Sequence, residues 1–124
     1  QYGVCFLLSY LLWEIHHYPG PPTEVEIDED GYRVINDWRS PGSNDLPWIP
    51  LDNETRIQIE EVLEKADYWK WERLYHDPDY LDGTTWSIKV RGGKNGGRRK
   101  NCEGVNAFPP GWKKVEAVIM KLAN

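Results

Sequence analysis

Cysteine and methionine are scarce in this sequence of 124 residues, which contains two Cys and one Met. Two cysteines are too few for a disulfide scaffold, so we expect Cys5 and Cys102 to be free thiols. Cys and His do not recur at the spacing of zinc ligands, and the stretch from Asp28 to Gly31 lacks the rest of a calcium loop. We therefore predict no metal site and no cofactor.

Long apolar stretches are lacking as well. The longest one, Val4–Trp13, is about half as long as a helix that crosses a bilayer. It has neither the basic flank nor the small-residue cleavage site of a signal peptide. We interpret it as a core strand, and we expect a soluble cytoplasmic protein that does not bind membranes.

The signatures of common catalytic sites are also missing. The sequence has no Gly-x-Ser-x-Gly and no His-Glu-x-x-His motif, and adjacent His16 and His17 on a strand would point to opposite faces. We therefore predict that the protein is not an enzyme and propose no catalytic residue. The alternative is an enzyme whose active site lies in a cleft lined by Trp38, Trp48 and Trp71, but the sequence contains no set of catalytic residues that supports it.

Tryptophan and tyrosine, in contrast, are abundant: the chain has seven of each and only two Phe. Both residue types carry a polar group that needs a partner when buried, and both are enriched at binding surfaces. A small core filled by a few large side chains is our first interpretation of this composition. A binding surface is the second.

The apolar pattern predicts strands and hairpins near both ends of the chain. Leu11, Trp13 and Ile15 alternate with polar residues, as in a half-buried strand. The segment "TEVEIDEDGYRVI" predicts a hairpin whose turn is closed by Gly31 in the left-handed region. The segment from 84 to 105 predicts a second hairpin, with its turn at Asn95-Gly96. In its first strand Trp86, Ile88 and Val90 are predicted to face inward, and Thr85, Ser87, Lys89 and Arg91 outward.

Two segments carry helical patterns instead. Ile59, Val62, Leu63 and Ala66 fall at the spacing of one helix face, behind an N-cap at Asp52 or Asn53. The last helix is predicted after Pro109 or Pro110, with a buried stripe that consists of Trp112, Val115, Val118 or Ile119, and Leu122. The order is strand, hairpin, helix, hairpin, helix. We predict one α+β domain over 1–124, an antiparallel sheet of about five strands with two helices packed on one face.

Charge is divided unevenly along the chain, whose formal net charge is −5. Residues 14–82 hold eighteen acids and six bases, whereas residues 83–124 hold two acids and nine bases. Either the two halves neutralise each other across the fold, or the protein has a dipole that steers a charged partner towards it. The acids predicted to bind a basic protein partner are Glu54, Glu60, Glu61, Glu64, Asp67, Asp37 and Asp45.

The stretch "RGGKNGGRRK" at positions 91–100 contains five cations and no acid. It lacks the order of a P-loop, because no Ser or Thr follows a lysine and a strand follows the glycines. Our first interpretation of this cationic stretch is the tip of a hairpin that is exposed to solvent. The alternative is binding of nucleic acid or another phosphate-bearing ligand. In that alternative, the phosphates are bound by Arg91, Lys94, Arg98, Arg99 and Lys100.

The segments "DGTTWSIKV" and "EGVNAFPPGWKKVEAVIMKL" resemble a pattern in small uncharacterised bacterial α+β proteins, a domain of unknown function. In that pattern an Asp-Gly strand is followed by a Gly-x-Asn-x-aromatic-Pro turn, matched here by Gly104, Asn106, Phe108 and Pro109. The resemblance implies a fold rather than an activity. In size and charge the chain also resembles immunity proteins that neutralise toxins. We therefore predict a small bacterial protein-interaction domain whose acidic surface docks a basic toxin-like partner.

Overall fold

The computed structural model describes residues 7–17, 19–35, 47–77, 83–93 and 97–123. These residues form a mixed α+β fold with a seven-stranded sheet and two α-helices. In chain order the elements are β1 (Leu8–His17), β2 (Thr23–Ile27), β3 (Gly31–Ile35), β4 (Ile49–Pro50), α1 (Asn53–Lys65), β5 (Leu74–His76), β6 (Thr84–Gly92), β7 (Arg98–Val105) and α2 (Trp112–Met120).

The sheet has the order β4-β3-β2-β1-β6-β7-β5, with the longest strand, β1, at its centre. The predicted count of about five strands, all antiparallel, is wrong in detail. The two additional strands, β4 and β5, have two and three residues, too few for an alternating pattern to be recognised. In addition, β5 runs parallel to β7, with Tyr75 opposite Gly104.

The turn between β2 and β3 is held by one aspartate. The Asp28 carboxylate accepts hydrogen bonds from the backbone N–H groups of Asp30 and Gly31, at 2.8 and 2.9 Å. The predicted left-handed conformation of Gly31 is wrong, because its φ is not positive. Glycine is required there for a different reason: a Cβ would lie 2.3 Å from the carbonyl oxygen of Ile49 in β4.

The predicted stripes meet in one core on one face of the sheet. Inward-facing residues of β1 and β6 pack with buried residues of both helices, among them Leu11, Ile88, Ile59 and Ile119. Of the tryptophans that the structure describes, four are buried in this core: Trp13, Trp71, Trp86 and Trp112. Trp112 stacks on Trp13 at 4.6 Å between ring centroids and lies 4.4 Å from Trp86. The abundance of tryptophan is therefore mainly a property of the core.

α1 begins at the predicted cap. The Asp52 side chain accepts a hydrogen bond of 2.7 Å from the backbone N–H of Thr55, which holds the pKa of that carboxyl below its usual range. α2 begins later than the two prolines, after Gly111, whose φ of 82° is in the left-handed region. Its buried residues are Trp112, Val115 and Ile119.

The residues that carry the sequence resemblance have structural roles. The backbone N–H of Thr84 donates to the Asn106 side chain at 2.8 Å, and the Asn106 N–H donates to the Thr84 carbonyl at 2.8 Å. The Trp86 indole N–H donates to the Ala107 carbonyl at 2.8 Å. A Cβ at Gly104 would lie 2.2 Å from that indole nitrogen. The pattern therefore joins the turn after β7 to β6.

Candidate functional site

One face of α1 combines exposed carboxylates with an exposed apolar side chain. Glu54, Ile57, Glu61 and Glu64 recur at helical spacing on this face, and all four are exposed. Ile57 is 44% exposed and lies between the carboxylates along the helix. We call this the acidic helix face. An apolar centre with a polar rim is the arrangement found in protein–protein interfaces.

Glu60, which the sequence grouped with these acids, is buried and does not belong to the acidic helix face. Its side chain is 7% exposed and accepts a hydrogen bond of 2.8 Å from the backbone N–H of Leu8. One turn earlier, Arg56 donates to the Leu8 carbonyl at 3.1 Å and to the carbonyl of Asp28. The two side chains thus bind the start of β1, where the strand pairing shifts at a bulge between Leu8 and Tyr10.

The other acids of the predicted partner site are distributed differently. Asp67 is exposed just beyond α1, in the left-handed conformation with a φ of 55°, and precedes a 3-10 turn at Tyr68–Lys70. Asp37 and Asp45 lie outside the described residues. The structure therefore brings Glu54, Glu61 and Glu64 together and places Asp67 after the end of their helix.

The cations of the second hairpin separate onto two faces of the sheet. Arg91 and Arg99 are directly paired across β6 and β7, and their side chains lie on the face opposite the helices. Arg98 and Lys100 lie on the other face. The Arg98 guanidinium is 4.6 Å from the ring centroid of Trp69, and the Lys100 amine donates to the Trp69 carbonyl at 2.7 Å. Lys94 and the predicted Asn95-Gly96 turn are outside the described residues.

Arg91 and Arg99 line a cleft of about 420 Å³ together with Lys89 and Arg73. Tyr10 and Asn101 also line this basic cleft, and Lys100 borders it. Sequence reasoning placed Lys89 on the outward face of β6 but did not assign it to a site. It missed Arg73 altogether, because Arg73 directly precedes the short strand β5, and the pattern did not reveal the pairing of β5 with β7.

Tyr10 separates the basic cleft from an acidic part of the same open sheet face. Its hydroxyl donates to Glu26 at 2.7 Å, while the Arg91 guanidinium lies 5.6 Å from its ring centroid. Burial and the Glu26 hydrogen bond raise the pKa of Tyr10 to about 12. Glu26 also accepts from Arg33 at 2.8 Å. This ion pair joins two residues of the acidic segment 14–82 and does not neutralise the basic segment.

Two more glutamates lie beside Glu26. Glu14 and Glu24 are directly opposite each other on β1 and β2. Partial burial, followed by repulsion from Glu14 and Glu26, raises the pKa of Glu24 above its ordinary value. Since the sheet order puts β2 and β3 on one side of β1, and β6 and β7 on the other, acidic and basic strands remain apart on this face.

The tryptophan cleft considered as an alternative does not form among the described residues. Trp71 is buried in the core and donates to the Ala66 carbonyl at 2.9 Å, whereas Trp48 is exposed and packs against the Arg33 guanidinium at 4.5 Å. Trp38 lies outside the described residues.

The described part of the chain contains neither an exposed thiol nor a cluster of metal ligands. Cys102 is a free, buried thiol, and burial raises its pKa, partly offset by a hydrogen bond with Tyr68. Cys5 lies outside the described residues. Over the described ranges, no three His, Cys, Asp or Glu side chains are grouped so that they could hold a metal ion.

Comparison with protein-family models, with curated proteins and with solved structures finds no match for this chain. Neither α1 nor α2, nor any other helix in the part of the chain that the structure describes, has the length and apolar character of a membrane span. The functional interpretation of the candidate sites therefore depends on the geometry of their residues alone.

Proposed function

We propose that this chain is a protein-interaction domain that docks a basic partner protein through the acidic helix face. The observation that carries this proposal is the exposure of Ile57 among Glu54, Glu61 and Glu64 on one side of α1. Burial of the apolar side chain at the centre of a contact contributes affinity, while the carboxylates around it contribute specificity and speed of association. Their attraction for a basic surface is weakened by salt.

The distribution of charge supports the same proposal. The carboxylates of α1 and β2 belong to the acidic segment, and the sheet order separates the carboxylates of β2 from the cations of β6 and β7 by the central strand β1. A small protein with this asymmetry orients itself in the field of a charged partner before contact. A basic toxin domain is the first partner class to test, because the chain resembles immunity proteins in size and charge.

The experiment is affinity capture with the full chain, followed by stopped-flow association with the captured protein at low and high salt. We expect the double variant Glu54→Lys/Glu61→Lys to slow association at low salt by about tenfold or more. We expect Ile57→Ser to accelerate dissociation without a change in the association rate. Equal rates for the wild-type protein and both variants would contradict the proposal.

The matched control is Glu29→Lys/Glu72→Lys. Both of these glutamates are exposed and lie outside α1, and the change in net charge is the same. We expect this control to change the association rate by less than about twofold, since only the charges near the contact act at short range. If it slows association as much as the α1 variant, total charge and not the acidic helix face controls binding.

The basic cleft supports a second candidate function, binding of nucleic acid or another phosphate-bearing ligand. Arg73, Lys89, Arg91 and Arg99 converge on this cleft beside Tyr10, and cations next to an aromatic ring are common in sites for single-stranded nucleic acid. The test is fluorescence anisotropy with a single-stranded RNA oligonucleotide and a DNA duplex. If neither binds at low salt, this candidate fails.

Two neighbouring arginines provide a matched pair for that test. Arg99→Ala removes a cation of the cleft, and it should weaken binding and lower the salt slope by about 0.7–0.9 per lost phosphate contact. Arg98→Ala removes a cation that packs on Trp69 on the other face, and it should leave both quantities unchanged. Equal effects of the two variants would indicate nonspecific attraction.

A further inference from the structure

A separate cavity of about 650 Å³ opens between the end of α1, the first turn of α2 and the end of β1. Its volume is within the range of small-molecule sites in proteins, about 300–1,000 Å³. Its apolar walls are formed by Ile15, Val62, Ala66, Phe108, Pro109 and Trp112.

Phe108 provides an apolar surface that the fold leaves incompletely covered. Its ring packs 5.3 Å from that of Trp112 on one side, yet 43% of the residue is exposed. An aromatic or aliphatic group in the cavity would cover the open part of this ring.

The mouth of the cavity is positively charged in a protein with a net charge of −5. Lys65, Lys113 and Lys114 line it, against one acid, Glu116. Lys113 and Lys114 lie in the first turn of α2, where cations are unfavourable beside the helix dipole and Gly111 offers no side chain as a cap. An anionic group at this mouth would be attracted both by the lysine side chains and by the start of the helix.

From this combination we propose that the cavity binds a small amphipathic anion, with an apolar body and one carboxylate or sulfonate. The apolar body lies against Phe108 and Trp112, and the anionic group lies between Lys113 and Lys114. This site is distinct from the acidic helix face and does not depend on the proposed protein partner.

The probe for this site is 8-anilinonaphthalene-1-sulfonate, compared with its uncharged counterpart N-phenyl-1-naphthylamine. Both dyes are titrated into the native full chain, and dye fluorescence and tryptophan quenching are recorded. We expect saturable binding of the anionic dye at one site per chain. In Lys113→Gln/Lys114→Gln its affinity should fall by about fivefold, the effect of two partly screened ion pairs, with the neutral dye unchanged.

Three further variants locate the binding. The control Lys70→Gln/Lys121→Gln removes two exposed lysines outside the cavity and should leave both affinities within about twofold of wild type. Ala66→Phe should block the cavity and abolish binding of both dyes. Phe108→Ala removes a ring that is 43% exposed, and it should weaken both dyes even if Ala66→Phe fails to fold.

Two results would overturn the proposal. One is an unchanged affinity of the anionic dye in Lys113→Gln/Lys114→Gln, since the mouth would then make no contact with the sulfonate. The other is unchanged binding of both dyes in Phe108→Ala. Cooperative urea unfolding of each variant separates specific binding from the general affinity of these dyes for loosened proteins.

Discussion

Replacement of Glu60 by Ala tests the contact that removes this residue from the acidic helix face. The Glu60 side chain accepts the backbone N–H of Leu8 at 2.8 Å in a buried environment. A hydrogen bond to a charged group contributes about 1.5–3 kcal/mol, and the Leu8 N–H would be left without this partner. We expect Glu60→Ala to lower the free energy of unfolding by about 2 kcal/mol.

The assay is urea denaturation followed by tryptophan fluorescence, which the four buried tryptophans make sensitive to core packing. With a denaturant slope of about 1.5 kcal/mol per molar urea, the expected midpoint shift is about 1.3 M. Glu60→Gln retains an acceptor oxygen and should lose about half as much. The neighbouring exposed residue provides the control, because Glu61→Ala should stay within about 0.5 kcal/mol of wild type.

Arg56 provides an independent check on the same contact. It donates to the carbonyl of Leu8, the residue whose N–H binds Glu60, so the two side chains share one residue of β1. We expect Glu60→Ala and Arg56→Ala to be non-additive in a double-mutant cycle, by about 0.5 kcal/mol or more. If Glu60→Ala is as stable as Glu61→Ala, the buried hydrogen bond does not stabilise the fold and the assignment of Glu60 to β1 is wrong.

Two other substitutions have defined outcomes. Because the pKa of Glu24 is raised in the folded state, stability falls as pH rises from its ordinary value of 4.5 through the folded value. Glu24→Gln should therefore stabilise the protein at pH 7 by about 0.2–1 kcal/mol, as expected for relief of a like-charge pair, and denaturation at pH 4 should show no gain. Gly104→Ala would place a Cβ 2.2 Å from the Trp86 indole nitrogen and should cost about 2–4 kcal/mol in thermal or urea denaturation. Gly97→Ala, in open space, is its control and should be neutral, whereas equal costs would refute the packing argument.

The sequence predicted the helices and strands whose formation depends on caps and on apolar residues a few positions apart. The cap at Asp52 and the apolar stripe through Ile59 and Leu63 located α1. Alternation of Trp86, Ile88 and Val90 located β6 and its inward face. Each of these depends on residues a few positions apart, so the pattern contains the necessary information.

The features that the sequence did not predict depend on contacts between residues far apart in the chain. The sequence grouped Glu60 with the partner-binding acids of α1, whereas its buried hydrogen bond is made with Leu8, which is 52 positions away. The pairing of Arg91 with Arg99 is set by the register of β6 and β7. A two-residue turn at Asn95-Gly96 would have placed Lys100 opposite Arg91, and such a shift of one residue exchanges the faces of all side chains. Sequence alone therefore identified the cations but not which of them share a cleft.

The short outer strands of the sheet restrict how other chains can associate with it. β4 at one margin has two residues and β5 at the other has three, so each offers only a brief stretch of backbone to an incoming strand. Long, flat margins act as templates for fibrillar growth, and short ones do not. Recruitment of a partner by extension of the sheet from β4 or β5 is accordingly disfavoured, and recognition at these two strands is left to side chains.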